Sequence, residues 1–154
     1  MSKSIPRTIE PTEADCIYAA GFFDGEGSVG IYRRSAKNEP NFKLSVDVSQ
    51  VIPGPLEWLR DRWGGSVRIS MPGGSVLGRR PLFSWAIDAR LALRFLGDVR
   101  PWLQVKGEQA DIAIAFQRAR RRPGPGRWLV PAEKLAYIQE ADTARLRLLE
   151  ARTA

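Results

Sequence analysis

The sequence predicts an α+β domain with the element order αββαββα, an antiparallel sheet and extra C-terminal helices. Two observations support this prediction. Two pairs of segments alternate between polar and apolar residues, which is typical of antiparallel hairpins with one buried face. Segments with apolar residues three to four positions apart precede, separate and follow the hairpins, and these predict helices. The 154 residues suffice for one domain with a hydrophobic core.

Residues 1–12 are polar and proline-containing, so we expect a flexible N-terminal arm followed by a single domain over residues 13–154. The first helix is expected to begin next to Thr12, which has the spacing of a capping box with Asp15, and to run through Gly25. Gly27 is expected in the left-handed conformation that ends many helices.

The first hairpin is predicted over residues 28–34 and 42–49, and the second over 66–70 and 82–87. The facing of the 82–87 strand stays open, because this strand is apolar on both sides. The side chains expected to face the core are Val29, Ile31, Phe42, Leu44, Val46, Val48, Phe83, Trp85 and Ile87.

Four further helices are predicted, over residues 53–63, 88–96, about 107–120 and about 131–151. Gly64 and Gly65 are expected to end the first of these. The basic, Pro-Gly-rich residues 118–127 are interpreted as a linker between the last two helices.

The composition excludes several classes of enzyme. The chain has no histidine, which rules out His-dependent nucleases, Ser-His-Asp hydrolases and His-ligated zinc sites. The single cysteine, Cys16, cannot form an intrachain disulfide and is interpreted as a small buried residue. No apolar run is long enough to span a bilayer, and no secretory signal is recognised. We expect an intracellular protein, cytoplasmic or organellar and not secreted, with no membrane partner.

The net charge is +7 and the sequence pI is about 10.2. Most of the basic residues are arginines, whose guanidinium groups suit bidentate contacts to phosphate and to guanine edges. A polyanionic partner is therefore favoured over simple solubility.

The most informative segment is Ala19-Ala20-Gly21-Phe22-Phe23-Asp24-Gly25-Glu26-Gly27. Gly21 and Gly25 lie four residues apart on one helix face, where two copies of the helix could pack backbone to backbone. Glu26 lies at the helix end, next to terminal carbonyl groups. A carboxylate beside a backbone carbonyl offers the hard oxygen ligands that Mg²⁺ prefers.

This segment resembles the motif of the LAGLIDADG homing endonucleases. Ala20, Gly21 and Gly27 match the motif, and Asp24 and Glu26 stand at its two acids. The motif occurs once, which resembles the single-motif, homodimeric class. The resemblance covers about residues 13 to 118. It includes the stretch Pro101-Trp102-Leu103-Gln104-Val105-Lys106-Gly107-Glu108-Gln109-Ala110, which is similar to the family's Pro-aromatic-Leu-x-x-Lys-x-x-Gln-Ala.

The resemblance implies a sequence-specific double-strand DNA endonuclease that cuts a long pseudo-palindromic site. It implies that Glu26 and the backbone carbonyl of Gly25 hold Mg²⁺, for which Mn²⁺ can substitute, and that Gln50 and Lys106 complete the catalytic residues. The family often has another basic residue shortly after that glutamine, which this chain lacks; Arg60 and Arg62 are the candidates to replace it. The homodimer interface is expected to contain Ala20, Gly21, Asp24 and Gly25, with Asp24 hydrogen-bonding backbone near the partner helix.

Double-stranded DNA is expected to lie on the polar faces of the hairpins. The strand of residues 41–50 would reach about 33 Å, or on the order of ten base pairs. The predicted DNA-binding residues are Ser28, Tyr32, Arg34, Lys43, Ser45, Asp47, Ser49, Ser66, Arg68, Ser70, Arg79, Arg80, Arg120 and Arg121. Asp47 is the one acid among them and could accept a hydrogen bond from cytosine N4.

Two other functions stay open. The first is a DNA- or RNA-binding protein of the same fold with little or no cleavage, such as a transcription regulator or a maturase. Both motif acids and Lys106 argue against it. The second is a general RNA-binding protein, which would expose aromatic residues on its sheet, where only Tyr32 is aromatic.

Overall fold

A computed structural model describes residues 5–36, 39–73, 80–119 and 131–153, with residues 34–36, 39 and 40 described by their backbone alone. The predicted α+β element order is confirmed. The elements are α1 (Glu13–Glu26), β1 (Gly27–Ala36), β2 (Glu39–Gln50), α2 (Gly54–Trp63), β3 (Ser66–Met71), β4 (Leu82–Asp88), α3 (Ala89–Val99), a 3₁₀ turn (Arg100–Trp102), α4 (Gly107–Ala119) and α5 (Pro131–Thr153).

The four strands form one antiparallel sheet in the order β1-β2-β4-β3. Val48 lies opposite Gly27 on β1 and opposite Trp85 on β4, and Val67 of β3 is the next partner of Trp85. Since opposed residues share a face, this register assigns every alternating strand position to one side of the sheet.

The core lies on the sheet face that the alternation predicts. Val29, Ile31, Phe42, Leu44, Val46, Val48, Trp85 and Ile87 are all buried. Phe83 is half-buried on the same face, so the open facing of β4 is resolved as predicted. Ile69 differs, because its side chain is 58% exposed. It belongs to edge strand β3, where a bulge follows it and the strand is exposed beyond Val67.

The first turn of α1 forms the predicted capping box. The Thr12 hydroxyl accepts from the backbone N–H of Asp15, and the Asp15 carboxylate accepts from the backbone N–H of Thr12. The hydrogen bond from the Thr12 N–H to the Asp15 carboxylate lowers the pKa of Asp15, and so does the ion pair between Asp15 and Arg62. The N-terminus of α1 is therefore fixed to α2, which carries Arg62.

The conformation predicted for Gly27 is wrong, because its φ is −86° and its backbone is extended. The glycine is needed for a different reason. A Cβ atom at position 27 would lie 1.9 Å from Cδ2 of Phe23. The absence of a side chain therefore lets the Phe23 ring pack under the turn from α1 into β1.

Part of the predicted N-terminal arm is attached to the domain. Ile5 pairs with Gly65 through two backbone hydrogen bonds of 2.9 Å, and the N–H groups of Thr8 and Ile9 donate to the Asp61 carbonyl. Gly64 and Gly65 end α2 with φ angles of +81° and +96°, as glycines readily do. Residues 5–9 are therefore held by hydrogen bonds rather than loose.

Helix α5 packs on α4 and on the edge strand β1. Its Ala141 and Leu148 are buried, and the ring of Tyr137 lies 6.1 Å from that of Phe42, centre to centre. None of the helices in the described ranges is both long and apolar enough to cross a membrane.

Candidate active site and DNA-facing sheet

The two motif acids at the end of α1 have different environments. The Asp24 carboxylate accepts three backbone hydrogen bonds, from the N–H groups of Gln104 (2.8 Å), Val105 (3.1 Å) and Lys106 (2.9 Å). This acid therefore holds the loop before α4 against the end of α1. Asp24 is expected to hydrogen-bond backbone near a partner helix; all three backbone donors found here belong to its own chain, and their nearness to a partner helix stays a prediction.

The side chain of Lys106 also binds the end of α1. Its Nζ atom donates to the backbone carbonyl of Asp24 at 2.7 Å and lies 6.0 Å from the centre of the Phe23 ring. A cation at the C-terminus of a helix is favoured by the helix dipole and by the unpaired terminal carbonyls. The structure thus brings Lys106 to the helix end that carries Glu26.

Gln50 is the third predicted catalytic residue. It lies two residues beyond Val48, the partner of Gly27 across the sheet. Because β2 runs antiparallel to β1, this register places Gln50 beside the C-terminal end of α1. Its Oε1 atom accepts from the N–H of Val51 at 2.8 Å, which fixes the orientation of the amide.

Glu26 is exposed, and within the described ranges its carboxylate forms neither a hydrogen bond nor an ion pair. Gly25 before it is exposed as well. A free carboxylate beside a helix-end carbonyl fits a hard divalent cation. One chain supplies a single such carboxylate, and its described residues contain no group of three His, Cys, Asp or Glu side chains that could hold a metal.

Arg62 is wrong as a replacement for the missing basic residue after Gln50. Its Nε atom lies 3.0 Å from the Asp15 carboxylate, and its guanidinium group lies 4.2 Å above the centre of the Trp58 ring. Asp15 is in the first turn of α1, and Glu26 is the last residue of this 14-residue helix, so about 17 Å of helix separates them. Arg60 lies 3.6 Å from Asp61, its neighbour in the chain.

The surface predicted for a dimer interface is exposed at some of its residues and buried at others. Gly21 and Gly25 are exposed, and a Cβ atom at either position would have no atom of the described residues within 4 Å. Ile17 is 45% exposed one turn earlier on the same face. The inclusion of Ala20 is wrong for this surface, because Ala20 is fully buried in the core of its own chain. Asp24 is occupied by the loop before α4.

The polar face of the sheet brings most of the predicted DNA-binding residues together. Cross-strand pairing aligns Ser28, Asp47 and Ser66 in one row, and Ser49 and Arg68 in the next. Tyr32, Arg68, Ser70 and Arg80 are exposed. Ser70 also donates to the Leu82 carbonyl at 3.2 Å. Arg79, Arg120, Arg121 and the side chain of Arg34 lie outside the described residues.

Sequence reasoning missed an acid on this face. Asp88 lies opposite Ser45, and its Oδ2 atom is 2.6 Å from Nζ of Lys43. Asp88 lies at an alternating position after Ser84 on β4, and this spacing could have assigned it to the polar face. It is instead the first residue of the helix predicted over residues 88–96. Among the side chains that the structure describes, this face therefore carries two acids. Burial raises the pKa of the other, Asp47, and nearby Arg152 opposes that rise.

No protein-family model and no curated protein sequence matches the chain. Solved structures do match, and they are LAGLIDADG homing endonucleases. The chain has the fold of this class, which confirms the resemblance inferred from the motif.

Three of these structures illustrate the likeness. A complex of I-CvuI with its DNA target in the presence of Ca gives a TM-score of 0.69 at 16% identity, over 90% of this chain and 82% of I-CvuI. Archaeal intron-encoded I-Vdi141I, bound to DNA, gives 0.66 at 15% identity over 90% and 84%. I-TnaI gives 0.57 at 14% identity over 94% and 98%. At these identities the likeness establishes the fold, and any activity depends on the site residues.

Proposed function

We propose that two copies of this chain form a divalent-metal-dependent, sequence-specific endonuclease that hydrolyses both strands of double-stranded DNA. The observation that carries the proposal is the end of α1. There Asp24 holds Lys106 and its loop, while Glu26 is exposed and has no hydrogen-bond or ion-pair partner among the described residues. A dimer would bring two such acids together, and two like charges favour the binding of cations between them. An intracellular site of action follows from the DNA substrate.

Glu26 and the Gly25 carbonyl are the proposed ligands, with Mg²⁺ as the natural ion and Mn²⁺ as a substitute. When bound, the metal would activate water and neutralise charge on the scissile phosphate. Lys106 supplies a further positive charge next to Glu26. Its hydrogen bond to the Asp24 carbonyl fixes the amine near the phosphate rather than leaving it free in solvent.

Gln50 is proposed to orient the attacking water. Its Oε1 atom is already bound to the N–H of Val51, so its amide N–H groups are the side of the group left for substrate. The polar face of the sheet would enter the major groove, with the row containing Ser49 and Arg68 contacting base edges.

The alternative is a protein that binds DNA with little cleavage. It is favoured by the absence of a basic residue shortly after Gln50. Arg62, farther along the chain, is bound at the opposite end of α1. Binding and cleavage must therefore be measured separately.

The test begins with selection of a binding site from randomised duplex DNA in Ca²⁺, followed by incubation of the selected site with Mg²⁺, Mn²⁺ or Ca²⁺. We expect cuts in both strands with Mg²⁺ and Mn²⁺ only. Selection must come first, because DNA was not cleaved in a structure of I-CvuI with the I-CreI target in 2 mM Mg. Binding without cuts in any metal would support the alternative, and no selected site would reject both.

The dimer interface is tested by Gly21→Val. Because a Cβ atom at position 21 meets no described residue within 4 Å, the monomer should still fold. A branched side chain should instead prevent the close approach of two α1 helices. We expect monomers in sedimentation that still unfold cooperatively in thermal melting, at a temperature lowered only by the loss of the dimer. Gly97→Val is the control, since position 97 is also open but lies on α3. A wild-type dimer formed by Gly21→Val would contradict the interface.

Base reading is tested by Arg68→Ala. If Arg68 contacts a guanine edge, its removal should cost about 1–3 kcal/mol of binding free energy and relax the preference at one or two base pairs per half-site. Arg90→Ala, at an exposed position of α3, removes the same charge without changing the polar sheet face. The base preferences of the two variants are compared by selecting binding sites with each of them. An unchanged preference for Arg68→Ala would show that DNA is read elsewhere.

A further inference from the structure

A basic cleft lies where α5 covers the outer edge of β1. It has a volume of about 290 Å³, and its lining includes Tyr32 and Arg33 of β1 and Arg145, Leu148 and Arg152 of α5. None of the α5 residues belongs to the polar sheet face described above. The cleft therefore adds a second positively charged surface to the chain, adjoining the first.

The three arginines are not neutralised to the same degree. Arg145 is held by Asp142, with its Nε atom 2.9 Å from Oδ1. Within the described ranges, neither Arg33 nor Arg152 has a carboxylate oxygen within 4.0 Å. Asp47 is the acid whose charge interacts with Arg152. The guanidinium group of Arg33 lies 6.0 Å from the centre of the Phe42 ring. Arg33 and Arg152 can therefore take an anion without breaking an ion pair to a described carboxylate, while Arg145 is held in place.

Tyr32 connects the cleft to the DNA-facing side. It lines the cleft together with Arg33 and Arg152, and it lies opposite Lys43 on the polar face of the sheet. Its ring lies over Gly30, where a Cβ atom would come within 2.8 Å of the hydroxyl oxygen. The phenol is therefore held beside the arginines.

The width of the sheet indicates which part of DNA would meet this edge. Three spacings between four strands amount to about 14 Å, whereas the major groove is about 12 Å wide. A sheet that occupies the groove therefore places its edge strands at the groove walls, which are lined by backbone phosphates. Guanidinium forks bind phosphate oxygens in a bidentate manner, and a phenol can donate one further hydrogen bond.

We propose that the cleft of Tyr32, Arg33, Arg145 and Arg152 binds a backbone phosphate of the DNA whose major groove the sheet occupies. This inference rests on the proposed DNA substrate and adds a contact that fixes register without reading sequence. Each half of a dimer would hold one such phosphate.

The test compares Arg152→Gln with Arg147→Gln, which removes an arginine from the groove between α4 and α5 instead. Affinity for the selected duplex is measured from 50 to 200 mM salt. Each phosphate that the protein no longer neutralises lowers the salt slope by about 0.9, so the drop in affinity over this range should become about 3.5-fold smaller per phosphate. We expect this for Arg152→Gln, with unchanged base preference, and wild-type behaviour for Arg147→Gln.

A second measurement locates the phosphate. Neutral methylphosphonates are placed at each backbone position in turn, and the wild type should lose affinity at one position in each half-site that Arg152→Gln no longer senses. If Arg152→Gln loses affinity at every methylphosphonate position at which the wild type does, the cleft does not bind a phosphate. That result would overturn the cleft assignment but not the proposed DNA binding. A change in base preference for Arg152→Gln would also overturn it. Failure of the wild type to bind any duplex would overturn the proposed function as well.

Discussion

Purified Glu26→Gln protein is expected to bind its selected DNA with wild-type affinity in Ca²⁺-free buffer and to cleave it more than about 100-fold more slowly in Mg²⁺. Even groups that only support metal ligands are worth about 10- to 100-fold, and Glu26 is proposed as a ligand itself. The amide keeps the size of the side chain and removes its charge. Because the Glu26 carboxylate is exposed and forms no hydrogen bond or ion pair with a described residue, folding should be unaffected.

Glu150→Gln is the matched control, since it removes one exposed carboxylate from α5. It should cleave at the wild-type rate. Cleavage is measured in single-turnover reactions on a labelled duplex, with binding and thermal unfolding measured in parallel. Wild-type cleavage by Glu26→Gln would refute the assigned role, whereas loss of both binding and folding would show that the acid is structural.

Asp24→Ala is expected to cause a large loss of stability, in contrast to Glu26→Gln, which should lose cleavage and keep its fold. The substitution leaves three backbone N–H groups and the Lys106 loop without their charged acceptor. Hydrogen bonds to charged groups are worth about 1.5–3 kcal/mol each, and partial exposure reduces that value. We expect a total loss of about 3 kcal/mol, or about 6–12 °C in unfolding temperature for a chain of this size.

Asp24→Asn should lose less, because its amide oxygen can still accept hydrogen bonds from the loop. The measurement is best made in the Gly21→Val background, where a change in dimer formation cannot contribute to the melting temperature. Equal melting temperatures for Asp24→Ala and its parent would contradict the role of Asp24 as the attachment of the loop. A loss confined to cleavage would instead indicate that Asp24 acts only on Lys106.

Local patterns were sufficient to predict much of the fold. Alternation assigned Val29, Val46 and Trp85 to the core, and the spacing of Thr12 and Asp15 located the start of α1. Such features depend on residues a few positions apart, whose geometry is set by the period of a strand or helix. The same rule could have excluded Ala20, since it shares a helix face with buried Phe23.

Other features depend on contacts between distant parts of the chain. The hydrogen bonds that Asp24 accepts join residues 80 to 82 positions apart. The ion pair between Lys43 and Asp88 depends on the register of β2 against β4. A single sequence indicates which residues are polar but not which distant partner satisfies them. The same limit applies to the cleft beside β1, because its arginines come from two elements that are far apart in sequence.

The coverage of β1 by α5 also affects how the chain can be synthesised and folded. An uncovered edge strand presents unpaired backbone groups to which other chains can add, which is a route to aggregation. Residues 37–153 must be made before α5 is complete, and at about 5–20 residues per second this takes about 6–23 s. During that interval the nascent β1 edge depends on its exposed, charged Arg33 to discourage pairing. Shortening the chain before Pro131 should therefore lower its soluble yield.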